Sequence, residues 1–247
     1  MKRLILSVVL LLSCSAICLA QMTKQEEATF PVPSGKKIEA NLKFAKKIDI
    51  KSWNRQEIGL KKTITYSKEE LLSIDQQSAK EQDGVLVIET DYDMKKDGER
   101  KYQCWSCDNE NWNGNECVCF QISYELMLPA GMSLELETIS GDINLLGSYN
   151  GGELNLETIS GGIEIKNYKG QIRAKSISGF VDFTSPGNQG FDAAFKSVTG
   201  EIYTDFDLKL DEGSTAWSKR LNRSLNGGGK KVALETVSGD IFLRKSN

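Results

Sequence analysis

Short segments of alternating apolar and polar residues recur through the second half of the chain. Each copy surrounds a Ser-Gly or Thr-Gly pair, with apolar residues seven and five positions before the glycine and, in all but one copy, two and four positions after it. Alternation with a period of two is typical of a β-strand with one buried face. The marker glycines are Gly141, Gly161, Gly179, Gly200 and Gly239.

The alternation changes phase at the Ser-Gly pair, which predicts a bend between two strands. Glycine adopts positive φ without steric cost, and the preceding Ser or Thr can hydrogen-bond the local backbone. The five marker glycines are therefore predicted to be structural turn residues, and each copy is predicted to be a strand, a corner, a second strand and a return loop.

Successive marker glycines are separated by 20, 18, 21 and 39 residues. Units of this size are stable only when stacked, at about 4.8 Å per strand, so that like side chains form shared interior columns. The predicted fold is all-β: a single-stranded parallel β-helix, or β-solenoid, with coils of about 20 residues. The longest gap predicts one further coil that has lost the motif. A β-sandwich of antiparallel hairpins is the alternative.

The segment before residue 130 is less regular but also contains alternating stretches, around Ile48 and Val85. We predict coils with long loops there, and a single solenoid domain over residues 21–247 with an insert at 103–119. Residues 67–80 are predicted to form either a short helical segment or a polar loop.

Residues 1–20 have the order of a secretory signal peptide: Lys2 and Arg3, an apolar run too short to span a bilayer, then small residues. Cleavage after Ala20 leaves an even number of cysteines. Lipidation of Cys14, the competing prediction, would leave Cys18 unpaired. The chain is therefore predicted to be exported to the periplasm, the outer-membrane surface or the medium.

Removal of the signal leaves 29 of the 31 basic residues against 34 acidic ones, a net charge of −5. This balance lacks the basic excess of a nucleic-acid-binding protein, so no nucleic-acid partner is predicted.

Four cysteines with the spacing C-x2-C-x9-C-x-C lie in the insert: Cys104, Cys107, Cys117 and Cys119. In an exported protein this pattern predicts two disulfides, while a zinc site and a redox CxxC site remain alternatives. The chain contains no histidine to share a metal. A hairpin would pair Cys104 with Cys119 and Cys107 with Cys117, although the other two connectivities remain open.

The insert also contains Trp105 and Trp112 among Asn and Asp residues. These indoles are candidates for stacking on a sugar or docking a protein, or they cover the disulfides. No metal or other cofactor is predicted.

Asp142, Glu201 and Asp240 each follow a corner glycine. Sequential stacking would put Asp142 and Asp240 about 24 Å apart, too far to act as a catalytic pair, so we interpret them as turn-stabilising residues. A basic segment at residues 215–231 is predicted to be a solvated loop or a contact for anionic lipid or glycan.

The "SGDI" corners, the segment "IDIKSWN" and the ending "LNGGGKKVALETVSGDIFL" resemble the bacterial β-strand-repeat family of unknown function labelled "putative adhesin". The likeness runs from about Phe30 to Leu243. It implies a β-solenoid-like fold in an exported cell-envelope protein, with roles in surface interaction or envelope stress. The cysteine insert departs from the family pattern, as do Gly162 and Phe180, where the acidic residue after the corner glycine is missing.

Two functions follow as expectations. The first is a non-enzymatic, adhesin-like scaffold that presents loops to a glycan, peptide or protein. The alternative is a polysaccharide-acting β-helix enzyme, which needs several acids and bases within one or two coils.

Overall fold

The computed structural model describes residues 21–92, 104–105, 117–149, 151–212, 214–215 and 218–246. They form twenty strands and one short 3₁₀ helix, Glu69–Ile74. In chain order the strands are β1 Met22–Pro31, β2 Lys37–Leu42, β3 Ala45–Ser52, β4 Glu57–Tyr66, β5 Asp75–Gln82, β6 Val85–Tyr92, β7 Cys104–Trp105, β8 Cys117–Val118, β9 Phe120–Leu128, β10 Ser133–Ser140, β11 Asp142–Leu146, β12 Leu154–Ser160, β13 Ile163–Lys166, β14 Ile172–Ser178, β15 Val181–Pro186, β16 Phe191–Ser197, β17 Ile202–Thr204, β18 Lys219–Leu225, β19 Lys230–Ser238 and β20 Ile241–Ser246.

Eighteen of these strands form two nine-stranded sheets. Sheet A has the order β1-β4-β9-β3-β11-β13-β15-β20-β17, and sheet B has the order β18-β16-β19-β14-β12-β10-β2-β6-β5. The chain crosses from sheet B to sheet A at each Ser-Gly corner and comes back through a return loop. The fold is therefore all-β and β-solenoid-like, with two mainly parallel sheets facing one another across a shared core.

Like residues of successive coils form interior columns, as the repeat predicts. In sheet B, Leu136 is in register with Leu156, which is in register with Ala174, and Ala174 with Leu234. In sheet A the same relation links Ile143, Ile163 and Val181. All of these side chains lie in one hydrophobic core. Register is strongly specified because a slip of one residue would turn every apolar side chain outward.

The order of the coils along the stack differs from their order in the sequence. The last coil, β19 with β20, pairs with β14 and β15 on one side and with β16 and β17 on the other. The prediction that the 39-residue gap contains a further coil is therefore wrong. The described residues between 205 and 229 instead form an irregular segment and β18, which runs antiparallel to β16. The C-terminal repeat fits between two earlier coils because its apolar columns match both neighbours.

Antiparallel strands and non-repeating segments close the two ends of the stack. At one end β1 and β4 extend sheet A and β5 extends sheet B, all in antiparallel pairs. The 3₁₀ helix between β4 and β5 buries Leu71 and Ile74. At the other end Phe206, from the irregular segment, packs on the core. These caps cover the apolar ends that a repeat stack would otherwise expose.

A buried ion pair lies in the cap formed by β1, β4 and β5. Lys62 Nζ is 2.5 Å from Asp75 Oδ2 and 2.8 Å from Glu26 Oε2, and the Lys62 and Asp75 side chains are almost completely buried. Burial alone would lower the pKa of Lys62, but the hydrogen bonds to Asp75 and Glu26 outweigh it and raise this pKa above its usual value. The cap therefore contains a charged lysine inside the fold.

No helix among the described residues has the length and apolar character needed to cross a membrane. The predicted signal peptide, residues 1–20, lies outside the described residues.

Candidate functional site

The marker glycines lie rung on rung at the corner between the sheets. Gly141, Gly161, Gly179 and Gly239 have positive φ, whereas Gly200 is not among the positive-φ glycines. A Cβ atom at any of the five would overlap a backbone carbonyl of the neighbouring coil, for example the carbonyl of Gly141 beneath Gly161. Glycine is therefore required here by close backbone packing as well as by the turn conformation.

A column of buried hydroxyl groups runs beside the glycines. It consists of the Ser or Thr three positions before each glycine, and these hydroxyls donate to corner carbonyls. Ser176 Oγ donates to Gly161 O at 2.8 Å, and Thr236 Oγ1 donates to Gly239 O at 2.7 Å. Sequence reasoning missed this column, although a Thr or Ser at this position in all five copies was the available signal. Its members are Thr138, Thr158, Ser176, Ser197 and Thr236.

We expect Ser176→Ala to lower the free energy of unfolding by about 1–3 kcal/mol, because it removes the hydrogen bond from the buried Ser176 side chain to the Gly161 carbonyl. Ser178→Ala, at an exposed position two residues later, should change stability by less than about 0.5 kcal/mol. Urea unfolding of the two variants checks the difference. Equal stability of both variants would contradict a structural role for the hydroxyl column.

The corner carboxylates also bind the backbone. Asp142 Oδ1 accepts a hydrogen bond from Gly162 N at 2.8 Å, and Asp240 Oδ1 accepts one from Glu201 N at 2.8 Å. The coil order corrects the predicted spacing: Asp142 and Asp240 are three rungs apart, about 14 Å, and Glu201 neighbours Asp240. Glu201 in turn forms an ion pair with Lys219 at 3.3 Å. These contacts support the turn-stabilising interpretation.

The two corners that lack an acidic residue, at Gly162 and Phe180, are in contact with one another. The ring of Phe180 lies over Gly162, and a Cβ atom at Gly162 would approach the Phe180 ring at 2.5 Å. The absence of a side chain at Gly162 therefore makes room for the aromatic ring on the next rung.

Phe180 belongs to an apolar strip on the outside of the stack, which we call the aromatic strip. Phe180 lies edge-on to Phe242, whose ring stacks on Tyr203 with centroids 5.2 Å apart. Tyr203 is 50% exposed. The guanidinium of Arg244 lies over the Phe242 ring, with Cζ 4.8 Å from the ring centroid, and Arg244 Nε is 2.6 Å from Asp182 Oδ2. The described residues include seven exposed large hydrophobic side chains. Four of them are Phe180, Tyr203 and the outward-facing Ile159 and Ile177.

A cleft of about 710 Å³ opens among the return loops that follow β11, β13 and β15, and the end of β20 forms one of its walls. We call it the return-loop cleft. Its volume falls in the range of small-ligand sites, but its wall is rich in hydroxyl and amide groups. Lining residues are Ser148, Tyr149, Asn167, Lys169, Pro186, Gly187, Asn188 and Ser246.

Buried tyrosines hold two of these loops in place. Tyr149 donates its hydroxyl to Met132 O at 2.7 Å, and Tyr168 donates to Gly152 O. The two rings stack at 6.1 Å. Burial raises the pKa of both phenols, that of Tyr168 to about 12, so the hydroxyls remain donors at neutral pH. In the third loop a glutamine takes the place of the tyrosine: Gln189 Nε2 donates a hydrogen bond to Tyr168 O at 3.1 Å.

The cysteine insert lies between β6 and β9 in the sequence, and the structure describes Cys104, Trp105 and residues 117–119 of it. Cys119 is buried and disulfide-bonded. Its backbone N–H donates a hydrogen bond to Ser67 Oγ, and the backbone N–H of Ser67 donates one to the Cys119 carbonyl. The backbones of Cys104 and Cys117 pair in parallel strands, not in the antiparallel hairpin that we predicted. The disulfide connectivity stays a prediction, since Cys107 lies outside the described residues, as does Trp112.

The basic segment is partly a strand, since β18 lies within it. Arg223 binds Asp211 at 2.5 Å, and Lys219 binds Glu201. The predicted solvated loop is therefore wrong for Lys219–Leu225, which form a strand. Because Lys219 and Arg223 form ion pairs within the chain, these two cations do not support the lipid or glycan contact either.

Comparison with known proteins agrees with this architecture. Residues 130–244 match the family model described as Toastrack DUF4097. A "putative cell adhesion protein" from Clostridium sporogenes superposes with a TM-score of 0.57 at 17% identity, covering 90% of this chain and all of that one, and therefore shares the fold. No curated protein matches the chain.

Two further solved structures cover the chain at lower similarity. A "putative adhesin" from Bacteroides fragilis has a TM-score of 0.37 at 13% identity over 89% of this chain and 97% of that one. A "Putative lipid binding protein" from Parabacteroides distasonis has a TM-score of 0.33 at 11% identity over 90% of this chain and 97% of that one. The repeat region at residues 130–244 is thus similar to the Toastrack DUF4097 family, and the chain as a whole shares its fold with the Clostridium sporogenes protein.

Proposed function

We propose that the protein is a non-enzymatic, exported cell-envelope protein, an adhesin-like β-solenoid scaffold that presents loops for binding. The observation that carries the proposal is that neighbouring coils are joined by specific contacts at the corners and also at the return loops. Glycines and hydroxyl groups lock the corners, and Tyr149 and Tyr168 lock the return loops. A rigid scaffold that positions loops is a common basis for binding proteins.

The disposition of the corner acids supports a scaffold over the polysaccharide-acting enzyme. Asp240 and Glu201 lie on neighbouring rungs, yet Asp240 binds backbone and Glu201 binds Lys219. A glycosidase pair instead needs one carboxyl group kept protonated as an acid and the other free to act. The acids at this corner have stabilising partners.

Export is supported by two features of the chain. The order of residues 1–20 is that of a signal peptide. Cys119 is disulfide-bonded, and structural disulfides persist in oxidising compartments such as the periplasm.

The proposal predicts that purified residues 21–247, fluorescently labelled, bind saturably to isolated bacterial envelopes or to host cell surfaces. Unlabelled protein should compete, and an unrelated β-solenoid of similar charge should not bind. Absence of saturable binding to both surfaces would contradict the scaffold function. Release of reducing or unsaturated sugars from envelope glycans, abolished by Glu201→Gln, would establish the enzyme instead.

A further inference from the structure

We infer that the return-loop cleft binds an acidic glycan, a hydroxyl-rich chain with carboxylate groups, and that Lys169 pairs with one of these carboxylates. The inference rests on the proposed function, because it names the class of ligand that the scaffold presents its loops to. Three features of the cleft lead to it: the chemistry of its wall, its charge, and its connection through β20 with the aromatic strip.

Hydroxyl and amide side chains dominate the wall of the cleft. Ser148 and Asn188 each offer both a donor and an acceptor, as sugar hydroxyls do, while Asn167 keeps its amide donor and Ser246 its acceptor oxygen beside the hydrogen bond between them. A ligand that replaces the waters on such groups with equivalent hydrogen bonds keeps their enthalpy, whereas an acyl chain would lose it. The wall therefore favours a polyhydroxylated ligand over a lipid tail.

The wall is held in place before any ligand binds. Asn167 has positive φ, and its Oδ1 accepts a hydrogen bond from Ser246 Oγ at 3.1 Å. Asn226 Nδ2 donates to the carbonyls of Gly187 and Gln189 and thereby braces the third loop. Preorganised groups bind more tightly because less conformational entropy is lost on binding.

Among the described residues that line the cleft, Lys169 is the single charged one. Its side chain is exposed, and no ion pair joins it to a carboxylate within the part of the chain that the structure describes. An ammonium group without an anionic neighbour attracts a carboxylate as a point charge. The cleft is thus matched to a sugar that carries an acid, such as a hexuronate.

Strand β20 connects one wall of the cleft with the aromatic strip on the outer face of sheet A. Phe242, Arg244 and Ser246 are successive outward positions of β20, and Ser246 lines the cleft. Four residues of strand span about 13 Å. An oligosaccharide longer than this distance can place one end in the cleft and an apolar ring face against Tyr203 or Phe242.

Isothermal titration calorimetry of residues 21–247 with oligogalacturonate, and with a neutral cello-oligosaccharide of equal length, tests the inference. We expect wild type to bind oligogalacturonate more tightly, with an affinity that falls as salt rises. Lys169→Gln should weaken oligogalacturonate binding about fivefold and leave the neutral sugar unaffected. Lys80→Gln, the same charge change on exposed β5 at the far end of the stack, should change neither.

Two further variants separate the parts of the site. Asn188→Ala should weaken both sugars, because it removes an uncharged hydrogen-bonding group from the wall. Tyr203→Ser, at the half-exposed ring, should weaken only oligosaccharides long enough to leave the cleft. Unchanged thermal unfolding of each variant shows that the fold is intact.

The inference is overturned if wild type shows no saturable binding of oligogalacturonate, or if Lys169→Gln and Lys80→Gln have the same effect. The protein could bind envelopes equally well before and after glycosidase treatment and have no affinity for oligogalacturonate. That result would overturn the glycan inference and leave the scaffold function standing. Loss of binding to envelopes and cells altogether would remove the scaffold function itself.

Discussion

Gly161→Val should lower the free energy of unfolding by about 2–5 kcal/mol. Two independent costs add. Gly161 has φ +153°, where a branched residue is strained by about 1–2 kcal/mol, and its new Cβ would overlap the Gly141 carbonyl of the coil beneath. Relief of that overlap requires a shift of a packed rung, at a further cost of about 1–3 kcal/mol. Denaturation in guanidinium chloride measures the loss.

Two control variants separate these costs. Gly131 has positive φ with nothing near its Cβ position, so Gly131→Ala should cost only about 1 kcal/mol. Gly200 lacks the positive φ, but a Cβ there would overlap the Gly239 carbonyl, so Gly200→Ala isolates the cost of close packing. If Gly161→Val lowers the free energy of unfolding no more than Gly131→Ala does, close backbone packing between neighbouring coils is not the reason for glycine at this corner.

Lys62→Met should destabilise the cap by about 3–5 kcal/mol at pH 7. Methionine preserves the length of the side chain but leaves the Asp75 carboxylate, 5% exposed, without its cation. The double variant Lys62→Met, Asp75→Leu should recover most of the loss, because replacement of both partners by apolar groups removes the unpaired charge. Urea unfolding of the single and double variants makes the comparison.

The contribution of this ion pair should depend on pH in a defined direction. The pKa of Lys62 is raised in the folded state, so the stabilisation is complete below the unfolded value of 10.5 and is lost as pH rises through the folded pKa. Hydrogen bonds from Lys24 and Lys62 lower the pKa of Glu26, so its part is present above 4.5 and is lost as pH falls through the folded value. A stability difference between wild type and Lys62→Met that is constant from pH 7 to 12 would contradict this.

The interior columns were predictable because they depend on local alternation. Leu136, Leu156 and Leu234 occupy the same position relative to their glycines, and that position alone decides which face is buried. The corners followed from the same pattern, since a change of phase requires a bend and glycine permits it. Both conclusions need no knowledge of which coils are neighbours.

The order of the coils was not predictable in this way. Any coil with matching columns can lie beside any other, so the sequence pattern of β19 and β20 does not say that they insert before β16 and β17. That ambiguity is why Asp142 and Asp240 were predicted about 24 Å apart, not about 14 Å.

The return-loop cleft escaped prediction because its residues share no motif with the corners. Tyr149 and Tyr168 precede small residues at Gly151 and Gly170, and a Cβ at either glycine would overlap the tyrosine ring. The recurring Tyr-x-Gly was the visible sign of a fastened loop. The aromatic strip was equally hidden, because Phe180 and Tyr203 become neighbours of Phe242 only through the non-sequential order.

The place of the final coil has a consequence for biogenesis. Ribosomes deliver a chain from its N-terminus, and most repeat arrays can add coils as they emerge. Here residues 230–246 must lie between two pairs of strands that precede them in the chain. The strands β16 and β17 therefore have no neighbouring coil to pair with until β19 and β20 are synthesised, and loss of β19 and β20 would remove an internal coil of the stack.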